Sequence, residues 1–291
     1  MANPVRTALL TATFLVVASA PALAGSNDIT LQRFGQCTFG SEGNCTGVLV
    51  DEQGFRNFAR DFGLVMSPRI AATAETLGQA GFAFQIDHTI NTIDATEPYW
   101  ILANENGDPS GSMATTSFHV RKGLPFSLEL GGLFTALWNS SMVSVGTELK
   151  WALHEDYLWP VPDLMVRGFV NTVLGDPQLS LTNAGVDVVV GAPIGVGDVM
   201  NITPFAGYEM TAVISSSRLI DATPEDLTPP FQDLENPSRS NAPEFVFDVD
   251  TELVHQGLGG VRFQFTAVNL LMMVTASGDV QSYTFSLGAD F

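Results

Sequence analysis

Residues 141–153 read SMVSVGTELKWAL. Val143, Val145, Thr147, Leu149, Trp151 and Leu153 alternate with Ser144, Gly146, Glu148, Lys150 and Ala152. A period of two puts the first set on one face of a strand and the second set on the other. The same alternation recurs from Gly81 to Phe291, in segments of about ten to fifteen residues, the length a tilted strand needs to cross a bilayer. The segments are 81–93, 113–121, 125–137, 141–153, 163–174, 178–190, 199–214, 251–265, 267–276 and 279–291. Beyond residue 24 the longest apolar run, 265–276, is too short and too β-branched for a spanning helix. Yet the mean hydropathy is +0.20, and only 15% of residues are charged. Apolar residues dispersed over every second position of many strands give this combination. The fold class expected is all-β: a transmembrane antiparallel up-and-down barrel over 81–291, of about ten strands.

The first 80 residues follow other rules. MANPVRTALLTATFLVVASAPALAG carries Arg6, an apolar run from Ala8 to Ala20, and Ala22-Leu23-Ala24 ahead of Gly25. This is the three-part pattern of a signal peptide, and it predicts export with cleavage after Ala24. Cys37 and Cys45 are the only cysteines. In an exported chain they are expected to close a disulfide. DEQGFRNFARDFG spaces Phe55, Phe58 and Phe62 at three and four residues, with Asp51 suited to start a helix and Gly63 to end it. A short amphipathic helix over 51–62 is expected, in a segment 25–80 that plugs the barrel or sits at its periplasmic rim. The apolar stretch 63–78 complicates the count. Pro68 argues against a central strand; if the stretch were one, an even total would need a twelfth within 27–34.

The alternating last segment SYTFSLGADF, its final aromatic Phe291, the export signal and the even strand count together resemble the bacterial outer-membrane β-barrel class. The resemblance covers about 81–291 and singles out no subfamily. It implies a Gram-negative outer-membrane location, contact with outer-membrane lipid, and recognition by the barrel-assembly machinery of a terminal signal made by Tyr283, Phe285, Leu287 and Phe291. Strands that start and finish in the periplasm place odd-numbered connections outside. The long connections 92–112 and 215–250 both fall there, while the tight KGLP at 122–125 and the turn at Thr266 fall on the periplasmic side.

Parity along the strands places Asp87, His119, Arg121, Glu129, Glu148, Lys150, Arg167, Asp187, Glu209 and Arg262 on lumenal faces. Charges at this depth must face water or each other. Glu148 and Lys150, two apart on one face, suggest a pair along the strand, extended by Arg121, Glu129 and Arg167. About eight strands leave an interior that side chains just fill, so a ten-strand lumen is narrow. A small pore for polar solutes and a structural barrel with a closed, ion-paired lumen are the two functional expectations. A secreted β-sandwich is a more distant one.

Other classes fit less well. A net charge of -19 lacks the basic face that nucleic acid needs. A hydrolase would need a nucleophile and base within hydrogen-bond reach. His88 and His255 share parity with outward residues, His119 and His154 fall toward the periplasmic end, and Ser117 beside His119 has no third group to orient it. The barrel is therefore expected to be no enzyme and to hold no cofactor. Acidic residues Asp221, Glu225, Asp226, Asp233, Glu235, Glu244, Asp248 and Asp250, against Arg218 and Arg239, read as a solvated loop, since their spacing matches no calcium loop. Trp138, Trp151, Tyr157, Trp159 and Tyr283 suit interfacial girdles.

Overall fold

A computed structural model describes residues 25–39, 45–155, 161–197, 199–222 and 244–291. The expected signal peptide, 1–24, therefore lies outside the described residues. The elements in chain order are β1 (Gly35–Phe39), β2 (Cys45–Val50), α1 (Glu52–Met66), β3 (Phe82–Thr92), α2 (Pro98–Ala103), β4 (Ser112–Leu124), β5 (Leu128–Leu137), β6 (Val143–His154) and β7 (Asp163–Leu174). There follow β8 (Leu179–Gly191), β9 (Ile194–Val196), β10 (Met200–Ser217), β11 (Ile220–Asp221), β12 (Glu244–Phe245), β13 (Asp250–Phe265), β14 (Val268–Ser277) and β15 (Val280–Asp290).

Antiparallel pairing runs β3-β4-β5-β6-β7-β8-β10, then β10 to β13, then β13-β14-β15, and β15 returns to β3. The result is a closed barrel of ten strands, in which β9 is a short extension paired to the start of β10. Closure leaves no unpaired edge strand, although strands overhang at the rims, as where Asp250–Gln256 of β13 run past β14. The seam between β15 and β3 runs from Gln281 opposite Thr92 to Asp290 opposite Ala83. One further rung follows: the Phe82 N–H donates to the Phe291 oxygen at 2.8 Å, and the Phe291 N–H to the Phe82 oxygen at 2.7 Å.

The wall alternates as its sequence demands. On β15, Tyr283, Phe285 and Leu287 face outward and are about half exposed, while Ser282, Thr284 and Ser286 are buried inside. Phe84, Ile86, Phe118, Phe134, Leu149, Trp151, Val188 and Met272 continue the apolar outer face around the ring. Among the described residues no helix is long and apolar enough to cross a membrane.

Several boundaries differ from the sequence reading. KGLP is not a turn: β4 continues through Leu124, and the reversal is Pro125-Phe126-Ser127, with Phe126 and Ser127 at positive φ. Gly123 serves a close approach instead, since a Cβ there would lie 1.8 Å from the Gly78 carbonyl oxygen. The helix does not end at Gly63 but runs one turn further, to Met66. Gly63 lets it lie against the wall, because a Cβ would meet Val213 at 2.6 Å. The twelve-strand alternative falls. Residues 67–80 form no strand, and 27–34 form a single bridge at Ile29 and a turn of 3-10 helix at Gln32–Phe34.

The two ends of the barrel are unlike. Phe82, Phe291 and the turns 125–127 and 266–267 lie at one, here called the terminal end. At the other lie α2, the turns 138–142, 175–178 and 278–279, and the described residues 218–222 and 244–249. Residues 25–34 are at this second end: the Asn27 N–H bonds to Asn139, Thr30 to Ala103, and Leu31 to the Gln178 side chain. We call it the cap end. Residues 25–34 thus sit opposite the rim at which β3 begins.

Candidate functional site

The cap is a small apolar core in its own right. Asp51 accepts from the Gly54 N–H at 2.9 Å and starts α1. Phe55, Phe58 and Phe62 then share one face, which is buried with Leu31, Phe34, Tyr99, Trp100, Phe245 and Phe247. Phe55 stacks on Phe247 with ring centroids 4.0 Å apart, and Phe58 meets Trp100 edge-on at 5.2 Å. Beneath them Met113, Leu137, Val173, Leu181, Val213 and Val280 close the upper lumen. Each large side chain buried in this way contributes about 1.5–3 kcal/mol. Polar ties fix the orientation: the Tyr99 hydroxyl donates to Asp61 at 2.8 Å, and Arg60 joins Asp61 at 2.8 Å and Asp279 at 3.3 Å. Burial and the Asp61 carboxylate push the Tyr99 phenol upward from its ordinary value. Cys37 and Cys45 are bonded across the β1–β2 hairpin beside this core.

From Ser67 the chain leaves the helix in extended form, as the residue ahead of a proline must. Residues 67–80 then descend through the lumen to the terminal end, where β3 starts. The wall holds this thread mainly by its main-chain oxygens. Arg167 donates to the carbonyls of Pro68 at 3.2 Å and Arg69 at 2.8 Å. Lys150 donates to those of Thr73 at 3.0 Å and Glu75 at 2.6 Å, and Arg121 reaches that of Ala71 at 3.5 Å. Higher up, Asn171 and Asn183 donate to Met66 and Gly63. Apolar wall side chains Met165, Val189, Phe205, Leu258, Leu271 and Met273 pack around Ile70 and Ala74.

All ten lumenal charges named from parity are buried on the inner face. Their pairing differs from the sequence expectation. Glu148 and Lys150 do not pair along the strand. Glu148 pairs with Arg167 at 2.9 Å and faces His119 at 3.6 Å, while Lys150 pairs with Glu129 at 3.0 Å. Pairs across neighbouring strands win because facing residues on one side of a sheet lie closest. Glu129 also holds Arg121 at 2.8 Å, and Asp187 holds Arg167. Glu209, opposite Asp187 in the ladder, accepts from Thr211 and Gln256. Arg262 bridges Glu75 of the thread and Asp290 of β15, each at 2.7 Å.

His119 meets Asp87 at 2.9 Å, an acid–base pair the sequence reading did not bring together. No nucleophile joins them, since Ser117 bonds instead to Thr135 at 2.8 Å. His88 and His255 face outward beside Thr116 and Tyr208, and His154 lies 3.9 Å from Asp163. Trp138, Trp151 and Tyr283 are about half exposed on the outer face, and Tyr157 and Trp159 lie outside the described residues. So do Glu225, Asp226, Asp233, Glu235 and Arg239 of the acidic loop. Among the described residues no group of three metal-ligating side chains occurs. A recess of about 190 Å³ opens at the terminal end between the thread, Arg121, Arg262 and Asp290.

Sequence reasoning missed Arg69 and Glu75, whose side chains also enter the network. Their only signal is that two isolated charges stand in the small apolar run SPRIAATAETLG.

No family model matches the chain, and no curated protein matches it. Solved structures similar in part are outer-membrane barrels. The attachment invasion locus protein Ail of Yersinia pestis is 9% identical with a TM-score of 0.27, over 73% of this chain and 99% of that one. An outer membrane channel from Pseudomonas putida F1 is 8% identical with a TM-score of 0.32, over 77% and 100%. The beta domain of the Bordetella autotransporter BrkA is 10% identical with a TM-score of 0.34, over 73% and 100%.

Proposed function

We propose that this protein is an outer-membrane barrel whose lumen is closed by its own N-terminal segment, and that it holds the cap at the outer surface rather than passing solutes. The observation that carries this reading is the thread: residues 67–80 occupy the lumen, gripped at the carbonyls of residues 68, 69, 71, 73 and 75 by Arg167, Arg121 and Lys150. A resting pore for small polar solutes would need lumenal charges that face water. Here they face one another and the thread, beneath a cap of packed aromatic rings.

The apolar outer belt and the closed ladder support a membrane-spanning role. Export by cleavage after Ala24, and assembly through Tyr283, Phe285, Leu287 and Phe291, belong to the same reading. With the terminal end in the periplasm, α1 and the disulfide hairpin lie outside the cell. The Asp87–His119 pair, buried and without a nucleophile, supports no hydrolytic role.

Conductance in planar bilayers tests the proposal. The intact protein is expected to give no resolved steps, and discrete steps from it would overturn the closed-lumen reading.

A further inference from the structure

The thread touches one part of the wall differently from the rest. Elsewhere the wall mainly reaches its main-chain oxygens, apart from Glu155, which accepts from the Thr76 hydroxyl and N–H, and Glu129, which accepts from the Leu77 N–H. At the seam where β15 meets β3, and on β13 close by, the thread contributes its own side chains. One Arg69 nitrogen donates to Asn91 of β3 at 2.9 Å and to Ser282 of β15 at 2.7 Å, and Ser282 donates to Asn91 at 2.7 Å. At the other end of the seam, Glu75 accepts from Arg262 at 2.7 Å, while the second arm of that guanidinium holds Asp290 at 2.7 Å. Both ends of β15 are therefore tied, through one arginine each, to residues of the thread.

The seam needs this more than any other pairing. The other strand pairs are joined by the connections of an up-and-down barrel, but the seam brings together opposite ends of the sheet: Ser282 and Asn91 are 191 residues apart. Loop-closure entropy makes such a pairing the most costly to find. Its own strands specify the register poorly. The inward face of β15 is Ser282, Thr284, Ser286 and Gly288 ahead of Asp290, and the outward face is apolar on both strands apart from Gln281, His88 and Thr92. A slip of two residues keeps each side chain on its face and loses little packing.

We propose that the N-terminal segment is a register lock for barrel closure, with Arg69 and Glu75 as the positioning residues that select the native β15–β3 alignment. Asn91, Ser282, Arg262 and Asp290 are their contacts on the wall. The segment thus has a role in assembly independent of whether the finished lumen conducts.

Disulfide trapping across the seam during refolding tests this. Thr89→Cys with Thr284→Cys reports the native register, in which the two hydroxyls lie 2.9 Å apart. Thr89→Cys with Ser286→Cys reports a slip of two residues. Ser117→Cys with Thr135→Cys, within the β4–β5 hairpin, is the control. With Arg69 and Glu75 present, only the native and control pairs are expected to link. In the charge-neutral background Arg69→Gln with Glu75→Gln, the ratio of slipped to native product is expected to rise by about tenfold or more, the weight of one or two lost charged hydrogen bonds, while the control is unchanged. If the double background does not insert, the single substitutions are read with the same pairs. An unchanged ratio in the variants overturns the proposal. So does loss of the native link in step with the control, which would mark a general loss of stability.

Discussion

Arg167 is the residue on which the closed lumen depends most, and its removal has a calculable cost. Its guanidinium joins Glu148 and Asp187 on the wall to the carbonyls of Pro68 and Arg69 on the thread, and it lies over the Phe169 ring at 4.9 Å. The side chain is 2% exposed. Arg167→Met keeps most of the volume but leaves the buried carboxylates of Glu148 and Asp187 without their shared cation and the carbonyls of Pro68 and Arg69 without this donor. Removing one partner of a buried ion pair costs about 3–5 kcal/mol, chiefly through the charge left behind. Adding Asp187→Asn removes one of those charges, so the double variant is expected to lose less than the two single losses summed, with a coupling of about 2 kcal/mol or more. Urea unfolding in lipid vesicles, followed by tryptophan fluorescence, reads all four corners of the cycle. A single-variant loss below about 1 kcal/mol, the range of exposed pairs, would refute the inference that Arg167 is a desolvated hub. Strict additivity would refute the pairing with Asp187.

Two further outcomes follow from the geometry. Gly123→Ala places a Cβ against the Gly78 oxygen and is expected to cost about 3 kcal/mol, whereas Gly132→Ala, which meets nothing within 4 Å, is expected to be near neutral in the same unfolding assay. The raised Tyr99 phenol makes the stability contributed by its bond to Asp61 fully present below the ordinary tyrosine range and lost as pH climbs through the folded-state value. Tyr99→Phe is therefore expected to cost about 1.5–3 kcal/mol at neutral pH and to flatten the alkaline limb of a stability profile taken to about pH 11.

What the sequence showed and what it hid have separate physical origins. Strands such as 141–153 were legible because each has one face toward an apolar exterior and one toward a polar interior, so the period of two is written residue by residue. The lumenal set, Asp87 to Arg262, followed from parity alone. Its pairing did not, because Glu148 chooses Arg167 over Lys150 through cross-strand registry, which a linear pattern does not encode. The end of α1 was misplaced because Gly63 looks like a helix stop, yet it is small for the sake of Val213. Residues 67–80 were the least legible. Their bonds to the wall are made mostly through their own main-chain oxygens, so the side chains of Ile70, Ala71, Ala72 and Ala74 carry neither a period nor a motif.

That last property has an evolutionary edge. A wall that grips peptide oxygens takes no notice of which small residue bears them. Between Arg69 and Glu75 the sequence is free to drift, provided each newcomer fits between the arginines and the apolar wall, and the path of the chain will outlast its composition. Related barrels built on this plan would then be recognised by two opposite charges at a fixed spacing in an otherwise featureless stretch, and by the cations on the strands that await it.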